Sequence, residues 1–173
     1  MSNLLILLSI VGRLIPHPAN MTPVGAMALV GGAKLSKLWR WTTPFIALIL
    51  SDVLLQLFFK TPAFSFQTFF VYGSFAVSIW LGRFIGGNRR YLKLGIFSIF
   101  GSLQFFLITN FGVWMEGLLY PHTLSGLTQC YLMGLPFFRG TLVGDLLWVY
   151  GLFIVMERAQ IWVHKRSLQT ASN

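Results

Sequence analysis

Residues 13–23 read RLIPHPANMTP, and the interpretation of the whole chain depends on this stretch. It places three prolines and four polar side chains (Arg13, His17, Asn20 and Thr22) between two apolar segments. Proline lacks a backbone N–H and keeps the preceding residue out of the helical region, so a regular helix cannot run through the stretch. In a lipid bilayer, irregular backbone persists only where it packs against protein or lines a wet cavity. We therefore predict that residues 13–23 form part of a ligand site.

The composition of the chain indicates a membrane protein. Of its 173 residues, 55% are apolar and only 10% are charged, and the mean hydropathy is +0.72. A soluble domain carries about 25% charged residues. The predicted fold is all-α and integral to the membrane, with about six transmembrane helices in a single polytopic domain over residues 1–173.

The apolar runs set the order of the predicted helices. Residues 3–15 predict a short first helix that the Pro-rich stretch ends, and residues 23–38 predict a second helix. The other predicted spans are residues 41–59, 64–85, 94–114 and 140–157. Residues 115–139 are too polar for a span and too apolar for a free loop. We therefore expect a lid or re-entrant segment before the last helix.

The basic residues set the expected orientation. They account for the net charge of +9 and cluster at 34–40, at 83–93 and from 158 onwards. Such clusters in short loops follow the positive-inside bias of membrane proteins, so the charge does not indicate nucleic acid as a partner. We expect the three clusters and both termini in the cytoplasm. The Pro-rich stretch and residues 115–139 then lie on the outer side.

Two carboxylates, Asp52 and Asp145, lie inside predicted spans. A charge at the bilayer centre costs at least about 2.5 kcal/mol, so such a residue faces the bundle interior and has a partner. The candidate partners are Arg13, His17 and Arg139, and Arg139 precedes Asp145 by six residues. Ligand contact is one interpretation of both carboxylates. A structural ion pair that holds the helices together is the other.

Residues near the expected lid supply further candidate contacts for a small molecule. Pockets for small molecules combine aromatic side chains with a few fixed polar groups. The candidates in this region are Asn110, Trp114, Tyr120, His122, Tyr131 and Arg139. The predicted substrate site is completed by Arg13, His17, Asn20, Asp52 and Asp145. An interfacial aromatic belt is the alternative, and it accounts for Trp114 but not for Asn110.

The second predicted helix carries small residues along one face. Gly25, Ala28 and Gly32 follow one another at i, i+3 and i+7. Small residues let two helices approach closely, so we predict that this face docks a partner helix.

The single cysteine, Cys130, excludes an internal disulfide, and no Cys/His set has the spacing of a zinc site. Cys130 and His17 are candidate ligands for a soft or borderline metal. Inert packing is the alternative for the thiol. The residues predict no catalytic site and no bound cofactor.

Several motifs resemble an uncharacterised family of small bacterial membrane transport proteins. They are RLIPHPxNxTPVGA from residue 13, TNFxxW from 109, YPxT from 120 and PFFRxTLxGD from 136. The resemblance covers most of the chain and implies a transport protein of the bacterial inner membrane. It does not imply a particular substrate.

The number of helices and the charge pattern also resemble the S components of energy-coupling-factor vitamin transporters. This resemblance implies a subunit that binds a vitamin at the outer side. It also implies an energy-coupling transmembrane subunit with ATPases as a partner, docked on a small-residue face such as that of Gly25, Ala28 and Gly32.

The solitary cobalamin-binding type of S component offers a narrower resemblance. His17, Asp52 and Arg139 follow one another in a similar order, which implies cobalamin or another corrinoid as the transported ligand. That type has a cobalt-ligating cysteine in the turn that corresponds to residues 60–68. This sequence has none there, and its Cys130 lies much later.

We therefore predict a membrane protein, not an enzyme, that binds and takes up an organic micronutrient. The predicted ligand is a vitamin or vitamin precursor, and most specifically a corrinoid. No G-x-x-x-x-G-K-[ST] motif is present, so an ATP-driven step needs partner subunits. One alternative is an intramembrane enzyme with His17 or His122 and Asp52 as acid–base groups. The other is a structural assembly protein that docks partner helices.

Overall fold

Helices dominate the computed structural model of the chain, which describes residues 2–14, 21–60 and 64–171. Within these ranges there are six helices and no β-strand, as the sequence predicts. The helices are α1 Ser2–Leu14, α2 Val24–Lys34, α3 Lys37–Phe59, α4 Phe66–Gly82, α5 Arg90–Glu116 and α6 Leu124–Ala171.

Three of the helices are long and apolar enough to cross a membrane. They are α3, α5 and the part of α6 that covers residues 124–163. The helices α1, α2 and α4 are apolar but shorter. At about 1.5 Å per residue, α2 extends only about 16 Å, which is roughly half of a hydrocarbon core about 30 Å thick.

The helix α5 has the residue distribution that is typical of a membrane helix. Its exposed stripe consists of the large apolar residues Ile96, Ile99, Phe100, Leu103 and Leu107. Its buried side includes the small or polar residues Ser98, Gly101, Ser102, Thr109 and Gly112. A water-soluble helix has the opposite distribution. Small and hydroxyl residues at helix contacts, with large apolar residues outside, are typical of membrane bundles.

The short helix α2 lies at the centre of the bundle. It contacts each of the other five helices, and eight of its eleven residues are buried. Its C-terminal residue, Lys34, belongs to a basic cluster at one end of the bundle. Its first residue, Val24, therefore lies well inside the bundle, because the helix is too short to reach the opposite end. The first N–H groups of a helix have no partners within that helix, and here Val24 and Ala26 of the first turn are buried.

The helices α2 and α4 cross with their backbones in contact at Gly32 and Gly82. A Cβ atom on Gly32 would lie 3.1 Å from Gly82 Cα, and one on Gly82 would lie 2.9 Å from Gly32 Cα. Ala28 is fully buried, and a Cβ atom on Gly25 would lie 2.5 Å from Asp145 Oδ1. The predicted docking face is thus packed against the chain's own helices. The prediction that Gly25, Ala28 and Gly32 dock a partner is corrected accordingly.

The connection between the last two helices also differs from the prediction. Only residues 117–123 are non-helical, and Gly117 ends α5 in the left-handed conformation with φ 72°. The helix α6 then continues from Leu124 to Ala171, with Pro136 inside it. Proline removes one helical hydrogen bond and bends a helix, but the helix can continue past it. Over the described residues, the first turns of α6 take the place of the expected lid or re-entrant segment.

Charged residues from three helices meet at one end of the bundle. Glu157 Oε1 on α6 lies 3.4 Å from Lys34 Nζ and 3.3 Å from Arg90 Nη1. The Tyr91 hydroxyl donates to Glu157 Oε2 at 2.7 Å, and Lys34 Nζ also lies 4.0 Å from the centre of the Phe153 ring. These contacts join the C-terminal end of α2 and the N-terminal end of α5 to α6 at Glu157.

Candidate functional site

A cavity of about 210 Å³, the central cavity, lies at the N-terminal end of α2. All six helices contribute to its wall. The lining residues are Arg13, Thr22, Val24, Gly25, Leu48, Val71, Phe75, Ser78, Gly101, Phe105, Thr141 and Asp145. Largely apolar walls with a few polar groups are the composition of a small-molecule site. The cavity adjoins the end of the Pro-rich stretch, where the sequence predicts a ligand site.

The Arg13 guanidinium at the cavity wall is held by a carboxylate. Arg13 Nη1 donates to Asp52 Oδ1 at 2.5 Å and to the Ser51 hydroxyl at 2.6 Å. The Tyr72 hydroxyl donates to Asp52 Oδ2 at 2.7 Å. The side chains of Arg13 and Asp52 are only 22% and 12% exposed. The structure therefore contains the predicted Arg13–Asp52 pair, which joins α1 to α3 and, through Tyr72, to α4.

Asp145 lines the central cavity and is only 9% exposed. Its Oδ2 lies 2.7 Å from the Ser102 hydroxyl, and its Oδ1 faces Gly25 in the first turn of α2, where only a residue without Cβ leaves room. Negative charge is favoured at this end of a helix. Among the described residues, Asp145 has no salt-bridge partner.

The predicted Asp145–Arg139 pair is not formed. Arg139 is exposed. Six residues along a continuous helix correspond to a rotation of about 600°, which leaves the two side chains about 120° apart around the axis. The sequence predicts the pair only if residues 115–139 form a segment separate from the last helix, whereas residues 124–139 belong to α6.

A second cavity, the aromatic cavity, adjoins the central one and also measures about 210 Å³. The two cavities share Val71, Phe105 and Thr141 as lining residues. The rest of the aromatic cavity is lined by Phe106, Thr109, Asn110, Gly134, Phe137 and Phe138. Asn110, a predicted contact residue, thus lines a cavity, and its Nδ2 donates to the Phe106 carbonyl at 2.8 Å.

The other predicted contacts near the α5–α6 connection lie outside the lining of both cavities. The Trp114 indole N–H donates to the Pro121 carbonyl at 3.0 Å, and the His122 ring lies edge-on to Trp114 with centroids 5.5 Å apart. The Tyr131 hydroxyl donates to the Leu107 carbonyl at 3.0 Å, and Tyr120 is half-buried. The contacts of Trp114 and His122 hold the α5–α6 connection against α5, and the contact of Tyr131 joins α6 to α5.

A model of a protein family matches the chain over residues 1–168. The chain belongs to DUF6580, a family of unknown function. No curated protein matches it, and no solved structure does. The match covers all of the residues that line the two cavities. The family assignment itself does not identify a ligand.

Cys130, a candidate metal ligand, is buried between α5 and α6. Its thiol donates to the Asn110 carbonyl at 3.2 Å. Across the part of the chain that the structure describes, no three His, Cys, Asp or Glu residues are grouped so that they could hold a metal ion. His17 and Asn20 lie within residues 15–20, outside the described residues, so their predicted roles stay predictions.

His122 and Asp52, two of the acid–base groups of the enzyme alternative, belong to different sets of contacts, and His17 lies outside the described residues. His122 Nε2 lies 3.2 Å from the Met115 carbonyl, in the α5–α6 connection. The Asp52 carboxylate is bound by Arg13 and Tyr72.

Several hydroxyl groups at or beside the central cavity were not predicted. Ser78 and Thr141 line it, and Ser102 binds the carboxylate of Asp145. Ser78 Oγ also accepts a hydrogen bond from Gln104 Nε2 at 3.0 Å. The available signal was the recurrence of serine within apolar spans, because hydroxyl residues in membrane helices turn toward other helices rather than toward lipid.

Proposed function

We propose that this protein binds a small organic solute, a vitamin or vitamin precursor, and takes it up across the bacterial inner membrane. The observation that carries the proposal is the central cavity at the N-terminal end of α2. It combines apolar walls with Arg13 and the buried Asp145. Solute sites in membrane transporters are commonly formed at the inner ends of helices that begin or end inside the bilayer.

The depth of the cavity supports a solute site. Because α2 extends only about 16 Å from the basic end, its N-terminus lies roughly half a hydrocarbon core away from that end. A site at this depth is separated from both membrane surfaces, as binding before release on the other side requires. A structural assembly protein has no need for a polar cavity at this position.

The geometry favours a ligand smaller than the corrinoid that the resemblance implies. A cavity of about 210 Å³ lies below the range of about 300–1,000 Å³ that is usual for drug-sized ligands, and a corrinoid is larger than those. Asp52 is occupied by Arg13, and Arg139 is exposed. Two of the three residues that carried the corrinoid resemblance are therefore not free to face a ligand in this cavity. We accordingly propose a smaller vitamin or precursor.

Energy coupling is proposed to come from a transmembrane subunit with ATPases, since the chain has no phosphate-binding loop of its own. The small-residue face of α2 is buried, so such a partner would have to dock on the exposed sides of the helices. The Glu157 cluster with Lys34 and Arg90 is proposed to lie at the cytoplasmic side, with both termini there, in accordance with the positive-inside bias.

Labelling of single cysteines tests this orientation. In a Cys130→Ser background, we expect a membrane-impermeant maleimide to label Leu118→Cys on intact spheroplasts, because Leu118 is 79% exposed in the α5–α6 connection. Arg89→Cys, exposed in the connection before α5, is expected to react only after the membrane is opened. The reverse pattern would contradict the proposed orientation.

Gly101 provides a test of the cavity as the binding site. It lines the central cavity, and a Cβ atom there would meet only the Ser78 hydroxyl oxygen, at an ordinary 3.8 Å. Gly101→Leu therefore fills the cavity, and we expect it to weaken solute binding at least about tenfold, equivalent to about 1.4 kcal/mol. Calorimetric titration of the purified protein with a panel of vitamins and precursors measures this effect.

The matched control is Gly151→Leu. Gly151 is an exposed position of α6, and a Cβ atom there would have no neighbour within 4 Å. Both variants make the same change within a helix, but only one fills the cavity. We expect wild-type affinity from Gly151→Leu. If Gly101→Leu binds the same solute equally well, the central cavity is not the site.

A further inference from the structure

We propose that the ligand of the central cavity has an aromatic ring and a cationic or N–H-donating end, with the end at Asp145 and the ring in the aromatic cavity. This inference rests on the proposed function, because it names the chemical class of the solute that the same site takes. Two observations carry it: the contacts of Asp145 and the shared wall of the two cavities.

The carboxylate of Asp145 can accept further hydrogen bonds from a ligand. An ionised carboxylate accepts about four hydrogen bonds, and the described side chains supply one, from the Ser102 hydroxyl at 2.7 Å. That hydroxyl also lies 3.1 Å from the Ser98 carbonyl, and its single proton cannot serve both acceptors. A buried carboxylate is stabilised by a charged, hydrogen-bonded partner. An amidinium, ammonium or amino-heterocycle group of a ligand would supply one.

Arg13 is the other charged residue in the lining of the central cavity, and it does not neutralise Asp145. Its guanidinium contacts Asp52 at 2.5 Å and Ser51 at 2.6 Å. The Arg13–Asp52 pair is neutral as a unit, so the described lining carries a net negative charge from Asp145. An anionic solute would be repelled by that charge, whereas a cation would be attracted to it.

The aromatic cavity supplies a place for a ring. It shares Val71, Phe105 and Thr141 as lining residues with the central cavity, so the two cavities border the same side chains. The proposed ligand extends from Asp145 along these shared side chains. The rings of Phe106 and Phe138 lie with centroids 5.0 Å apart along its lining. Aromatic rings favour offset or edge-to-face contact at such distances, so a planar ring packs well among them.

Benzamidine, benzamide and benzoate form a matched set of probes. All three carry the same ring and are of similar size, but their polar ends are cationic, neutral and anionic. Ligand-observed NMR with the purified protein in lipid nanodiscs measures the three affinities. We expect benzamidine to bind at least about tenfold more tightly than benzamide, and benzoate to bind more weakly than either. Asp145→Asn is expected to reduce the preference for benzamidine to less than about threefold.

The control variant is Glu116→Gln, which removes an exposed carboxylate that lines neither cavity. It should leave the preference unchanged. Equal binding of the three probes to the wild type overturns the inference. This comparison needs no variant, so the inference stays testable even if Asp145→Asn does not fold. Absence of binding by all three also overturns it. In either case the proposed function is judged separately, by whether Gly101→Leu abolishes binding of a vitamin or precursor that Gly151→Leu retains.

Discussion

Replacing Arg13 by alanine is expected to lower the free energy of unfolding by about 3 kcal/mol, because it leaves the Asp52 carboxylate buried without its cation. Asp52 is only 12% exposed, and among the described residues it keeps one neutral donor, the Tyr72 hydroxyl. For a chain of this length, a loss of about 3 kcal/mol corresponds to a fall of roughly 6–12 °C in Tm. Thermal unfolding in a mild detergent measures it.

The double variant Arg13→Ala/Asp52→Asn separates charge from packing. It removes both ionised groups, so most of the lost stability is expected to return. Arg139→Ala serves as the matched control, because Arg139 is exposed, and its effect should stay within about 0.5 kcal/mol. If Arg13→Ala is as stable as Arg139→Ala, the ion pair does not hold α1 to α3.

Gly82→Val is expected to cost about 2–3 kcal/mol of stability, or more if the helices separate. A Cβ atom at this position would meet the Leu29 carbonyl oxygen and would lie 2.9 Å from Gly32 Cα. These atoms belong to the backbone of α2, so they cannot move aside by a change of rotamer. The measurement is the Tm of the variant in the same detergent.

Gly73→Val on the same helix is the control for Gly82→Val. A Cβ atom at Gly73 would have no neighbour within 4 Å, so this variant reports the change in helix propensity alone. The difference between the two variants then measures the contact with α2. Equal Tm values would show that α2 and α4 do not touch at Gly32 and Gly82.

The positions of the longer helices could be predicted from the sequence because apolar runs alternate with basic clusters. The predicted span 41–59 corresponds to α3 at Lys37–Phe59, and 94–114 corresponds to α5 at Arg90–Glu116. Part of the candidate site was also predictable. A basic residue at the edge of the Pro-rich stretch and a carboxylate inside a span need partners, and the structure joins Arg13 to Asp52.

The first turns of α6 could not be recognised because their support is tertiary. Gln129, Pro136 and two glycines lower the apolar signal of residues 124–139. In the structure, Cys130 and Tyr131 bind backbone carbonyls of α5, and such contacts outweigh the weak intrinsic preference of a segment. Reading the region as a separate segment then led to the wrong partner for Asp145.

The sequence predicts a close contact on one face of α2, but the neighbour in that contact is the chain itself rather than a partner protein. Gly25, Ala28 and Gly32 indicate that something approaches α2 closely. A sequence pattern does not distinguish a partner protein from another helix of the same chain. Here the close neighbours are Gly82 of α4 and the carboxylate of Asp145 on α6. The central cavity depends on the same long-range packing, since all six helices contribute to it.

Native mass spectrometry of the protein, purified from its own membranes in a mild detergent, tests whether the central cavity binds an organic solute. We predict that the wild type and Gly151→Leu retain one organic molecule in addition to lipid and detergent. Gly101→Leu, with the central cavity filled, is predicted to lose it. The proposed binding is contradicted if the wild type carries no such molecule while its membranes contain the full set of vitamins and precursors. It is also contradicted if Gly101→Leu retains the molecule to the same extent.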